Sequence, residues 1–164
     1  MRRSVLAVLM AAAVCVGLTG TASAQQSFQA TFKSNTPKKD LASCTHFLCA
    51  SGSVTGYGDA SVTLDLAGAP VTSGPCETAP VTVTITLTDG SGTLTLAGAA
   101  TACFPGRSGD APGGLKSFGN PFRGTAELSV TQGTGVFAGA SGTLSGTLHS
   151  AGAHLAAQLT GTLD

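Results

Sequence analysis

The chain has no tryptophan and a single tyrosine, Tyr57, among its 164 residues. That scarcity argues against a surface built on aromatic platforms, as in sugar stacking or single-strand nucleic-acid binding. Charge is scarce too: Asp, Glu, Lys and Arg make up 10% of the residues, where roughly 25% is usual. There is no basic stripe or patch, so nucleic acid is not an expected partner. Past residue 24 no apolar run reaches the roughly 20 residues a spanning helix needs. No stretch sustains an apolar period of about 3.6 residues, so little helix is expected. A P-loop, a dinucleotide fingerprint and a G-x-S-x-G elbow are all missing, and no cofactor is expected.

What is present begins with a leader. Arg2 and Arg3 open the chain, an apolar run follows from Val5 to Leu18, and Ala22-Ser23-Ala24 stands before Gln25. That order is a secretory signal peptide, with cleavage expected between Ala24 and Gln25. Arg2-Arg3 also admits a twin-arginine route, but flanking support is absent and the general route is preferred. Cys15 leaves with the leader. The mature chain, 25–164, is expected to be one domain, secreted, with no membrane span after cleavage.

Four cysteines then remain: Cys44, Cys49, Cys76 and Cys103. An even number in an exported chain reads as two disulfides, and the C-x-x-C spacing of a zinc site is missing. Glycine is abundant, 23 residues, about twice the usual share. That density fits a chain of many tight turns.

Period-two alternation recurs along the mature chain. Phe28, Ala30 and Phe32 share a face, as do Val62, Leu64 and Leu66. A weaker strand is expected over 51–57. The clearest runs from Val81 to Thr88, with Val81, Val83, Ile85 and Leu87 on one side and threonines on the other. Asp89-Gly90-Ser91-Gly92 is a turn, and Leu94 and Leu96 return on the same side. The expected register sets Leu87 opposite Leu94 and Ile85 opposite Leu96. Cys76 and Cys103 then fall just past the open end of this hairpin, close enough to bond. By elimination Cys44 pairs with Cys49. Further strands are expected over 123–131, 143–148 and 153–163, the last two forming a hairpin with Leu148 opposite Leu155 and Leu144 opposite Leu159. The total is about eight strands, each with one apolar and one hydroxyl-rich face. They suit an eight-stranded antiparallel β-barrel, or alternatively a two-sheet β-sandwich.

The most distinctive segment runs from Val130 to Gly142. Its residues Gly133, Gly135, Phe137, Gly139, Ala140 and Gly142 spell G-T-G-x-F-x-G-A-x-G. This resembles the strand–turn–strand signature of allene oxide cyclase-like and dirigent-like barrels, seen also in small exported bacterial proteins of unknown role. The resemblance implies an eight-stranded barrel with an apolar interior. It carries over no catalytic residue, because none here matches the polar pocket residues of those enzymes.

Candidate chemistry is sparse. Asp65 and Glu127 sit in the polar phase of their strands, and Asp89 lies in a turn that favours aspartate for local backbone bonding. His149 and His154 flank the last hairpin turn and could face each other; His46 lies between Cys44 and Cys49. None of these forms a recognisable metal or catalytic set. The connection 103–122, rich in glycine and proline, carries Phe104, Arg107, Phe118, Asn120 and Phe122, with Arg123 beside it. It is read either as a ligand-binding loop at a barrel mouth or as a lid folded onto the core. The expected function is non-enzymatic: binding of a small apolar ligand, or surface interaction. The alternatives are a cyclase or isomerase of the kind the motif suggests, and a structural cell-envelope protein.

Overall fold

A computed structural model describes residues 25–34, 44–105, 121–151 and 154–164. The expected leader, up to Ala24, lies outside the described residues, as do Arg107, Phe118 and Asn120. The strands are β1 (Gln26–Ser34), β2 (Leu48–Val54), β3 (Gly58–Leu66), β4 (Val71–Ser73), β5 (Cys76–Leu87), β6 (Gly92–Cys103), β7 (Phe122–Gly135), β8 (Gly142–Ala151) and β9 (His154–Leu163). Each neighbour pairs antiparallel, and β3 pairs with β5 to close the ring. The protein is therefore a closed eight-stranded antiparallel β-barrel, with β4 as an extra strand outside it. Closure leaves no long unpaired edge.

The alternation does what the sequence predicts. Phe28, Ala30 and Phe32 on β1, Val62 and Leu64 on β3, and Val81, Val83, Ile85 and Leu87 on β5 are buried. Outward-facing positions align into rows of hydroxyl and amide groups. One such row runs Thr78, Thr101, Thr125, Thr147, Gln158, Thr31, Ser53, crossing seven consecutive strands (β5, β6, β7, β8, β9, β1 and β2) with no charge.

Both hairpin registers differ from expectation by two residues. Ile85, not Leu87, faces Leu94, and Val83 faces Leu96, which places Cys76 directly opposite Cys103 within the paired strands. In the second hairpin Leu148 faces Ala157 and Leu144 faces Gly161. A slip of two keeps every side chain on its own face, so alternation cannot detect it. Size complementarity inside a narrow barrel decides instead. Large inward residues stand opposite small ones: Leu144 on Gly161, Leu159 on Gly146, Phe32 on Gly52, Leu128 on Gly98. At Gly98 a Cβ would lie 2.0 Å from the Glu127 carbonyl oxygen, so no other residue fits that approach without moving a strand.

The first hairpin turn is four residues long, 88–91. Gly90 adopts φ +76°, its N–H donates to Leu87 O at 3.0 Å, and Ser91 N–H donates to Asp89 Oδ1 at 2.9 Å. The Ser91 hydroxyl, and after it the Ser91 N–H, hold the Asp89 carboxyl below its ordinary value of 3.8. A depressed folded-state value means this contribution is complete above the ordinary carboxylate range and is lost as pH falls through the lowered value. Asp89→Asn should therefore flatten the acid limb of the stability profile: stability falls at neutral and alkaline pH and is unchanged at the acid end, as followed by urea titration at several pH values. An unchanged acid limb would show that the contact adds nothing.

Two other departures have local causes. β5 begins at Cys76 and continues through Pro80, which falls between the stretch paired with β4 (76–78) and the stretch paired with β3 (81–87). A proline is tolerated there because no ladder bond is required of it on that side. β7 continues past 131 to Gly135 because Thr131 forms a bulge opposite Thr95 and Leu96, its hydroxyl donating to Thr95 O at 3.2 Å.

Candidate ligand-binding mouth

The two ends of the barrel differ. At one end strands join through the short connections 55–57, 88–91 and 136–141; the other end holds Ser34, Leu48, Leu66, Cys76, Cys103, Phe122, Ala151 and His154, where the eight barrel strands end or begin. Both disulfides, Cys44–Cys49 and Cys76–Cys103, brace this second end. They are compatible with an oxidising compartment. Loops held by a rigid scaffold are where binding groups collect, so this end is the candidate mouth.

The short-turn end is closed by Phe137, 1% exposed, whose ring meets Phe28 edge-on at 6.4 Å and Tyr57 at 4.8 Å. The motif glycines make this plug possible. Gly135 takes φ +58°, and Gly142 takes φ +133° with a would-be Cβ 2.2 Å from Thr162 O. Gly139 turns the chain at φ +78°, Ala140 N–H donates to Phe137 O, and Gly133 packs beneath the Phe137 backbone.

At the mouth, Phe104 and Phe122 are buried and pack ring on ring at 5.7 Å. Phe104 N–H donates to Pro75 O at 2.9 Å. Both belong to the hydrophobic core. Arg123 is exposed, opposite Cys103 and His149. Asp65 accepts a 2.7 Å contact from His46 Nδ1 and a 3.4 Å bond from Phe47 N–H, which fastens the Cys44–Cys49 loop to β3. Both side chains are about half exposed, so the pair positions the loop more than it stabilises it.

Asp65 is on β3 and Glu127 on β7, strands that are not neighbours. Glu127 instead accepts a bond from Ser145 Oγ at 3.0 Å. His149 faces Ala156 and His154 faces Ala151, so the two histidines are not opposite each other. Among the described residues no three His, Cys, Asp or Glu are placed to hold a metal ion.

Below the rim the interior is apolar. Two small spaces of about 30 Å3 each adjoin there, sharing Leu48, Leu64 and Leu148 as lining. One opens toward Phe47, Leu66 and Phe122; the other reaches down to Val83 and Leu128. Each has room for roughly two or three heavy atoms. Among the described residues the buried polar side chains are Glu77 and Ser150. Both point inward in the outermost layer, Glu77 beside Ala102 and Ser150 beside Phe122 and Leu155. Sequence reasoning missed them, although Glu77 shares the phase of Val81 and Ser150 that of Leu148; Pro80 hid the continuity of β5.

No protein-family model, curated protein or solved structure matches this chain.

Proposed function

We propose that this protein is a secreted, non-enzymatic β-barrel that holds the end of a narrow apolar chain in its disulfide-braced mouth. The observation that carries the reading is the apolar lining of the two adjoining spaces, one reaching Phe47 and Leu66 at the rim and the other Val83 and Leu128 below. Spaces of about 30 Å3 each admit a few carbon atoms, not a folded or ring-bearing substrate. Burial is worth about 0.8 kcal/mol per methylene, so some four carbons contribute about 3 kcal/mol. That corresponds to weak, reversible capture, near the millimolar range unless the rim adds contacts.

Distant kinship with allene oxide cyclase-like and dirigent-like barrels is part of the same proposal. The Gly133–Gly142 motif in its strand–turn–strand setting and the eight-strand closure support it. Cyclase activity draws less support. It needs inward polar groups around a cavity of some 300 Å3 or more, whereas Glu77 and Ser150 stand at the rim. A structural envelope role is the rival that the well-filled interior favours.

Binding of decanol, followed by calorimetry and native mass spectrometry, separates these readings. The wild type should bind one molecule. Ala100→Leu, which fills the space nearest the rim, should abolish binding without lowering the urea midpoint. A wild type that takes up no decanol would rule out chain capture and leave the structural role.

A further inference from the structure

The opposite end of the barrel carries a second, larger concavity. It is about 260 Å3 and is lined by Gln26, Tyr57, Leu163, Asp164 and the turn 136–140. This approaches the lower bound of small-molecule sites, about 300 Å3. None of its lining residues is Lys or Arg.

Tyr57 is its fixed element. The N–H donates to Val54 O at 3.0 Å and seats the residue in the turn after β2. The ring rests on Phe137, which rests on Phe28, so three rings run from the groove into the core. The phenol donates to Gln26 Oε1 at 3.1 Å. With Oε1 engaged, the amide contributes its Nε2 donors. Asp164 supplies a carboxylate acceptor on the other flank, its backbone tied to Ser141 in both directions. Val136, 53% exposed, borders the groove with an apolar edge.

We propose that this groove is a binding site for a neutral sugar, one or two pyranose rings in size. A pyranose offers an apolar C–H face to one side and hydroxyls around its edge. The immobilised Tyr57 ring and Val136 suit the face; the Asp164 carboxylate and the Gln26 amide suit adjacent hydroxyls, as acceptor and donor. An anionic ligand finds no cation here. A cationic one finds an exposed carboxylate, whose ion pairs in water contribute little. Scarcity of aromatics does not prevent this, because one ring held from behind by two phenylalanines is already ordered before the ligand arrives.

The chain itself supplies the probe. With no tryptophan and one tyrosine, tyrosine emission reports from this groove alone. Glucose, galactose, N-acetylglucosamine and cellobiose are titrated, with tetramethylammonium as the cationic control. The expected result is a saturable change with at least one sugar and none with tetramethylammonium. Gln26→Ala and Asp164→Ala, both at exposed positions, should weaken the affinity about tenfold or more, while Val71→Ser leaves it unchanged. Urea midpoints verify that each variant folds. No saturable change with any sugar up to roughly 50 mM, equal saturation by tetramethylammonium, or unaltered sugar affinity in both groove variants would each overturn the proposal.

Discussion

Phe137→Ala should lower the stability of the folded barrel by about 3–5 kcal/mol, the range for removing a fully buried phenylalanine. The side chain is 1% exposed and is the middle ring between Phe28 and Tyr57. The turn around it is held by the Phe137 N–H on Thr134 O and the Ala140 N–H on Phe137 O, each 3.0 Å, so the backbone has little freedom to collapse into the space. The control is next door. Val136 is 53% exposed, and Val136→Ala should cost about 0.5 kcal/mol or less. Urea denaturation measures both. Similar losses in the two variants would mean that the turn, and not the plug, is what the motif preserves.

The second large effect concerns the mouth. Cys76 and Cys103 are bonded across a sequence separation of 27, and Cys44 and Cys49 across 5. Loop-closure entropy then assigns about 3–4 kcal/mol to the first disulfide and about 2 kcal/mol to the second. Replacing Cys76 and Cys103 together by alanine should shift the urea midpoint down by roughly 2 M, for a slope of about 1.5–2 kcal/mol/M. Replacing Cys44 and Cys49 should shift it by about half as much. The first change also frees the start of β5, to which β4 is paired from Ser73 to Val71, so β4 should lose amide protection before the barrel does. Equal shifts for the two pairs would refute the assignment of the larger share to the long loop.

How much of this was legible follows from what alternation encodes. Phase survives translation into structure: the Val81–Leu87 and Phe28–Phe32 series point inward as read. Register does not, because a two-residue slip leaves phase intact; the Asp89–Ser91 contact and the pairing of Leu144 with Gly161 fix it instead. The disulfide pairing was readable from the hairpin even though its alignment was displaced. β4 was not readable, since Val71–Ser73 is too short to show a period. The mouth was legible in part, through Phe104 and Phe122. The groove at the other end was invisible, because Gln26, Tyr57 and Asp164 are brought together by the pairing of β1 with β2 and β9 and share no sequence pattern.

The outward rows of threonine, serine and glutamine have one more consequence. Colloidal behaviour in most proteins is governed by charge, and therefore by ionic strength and buffer. A wall hydrated chiefly through hydroxyls has little for salt to screen. Such a protein keeps nearly the same affinity for water in dilute and in concentrated electrolyte.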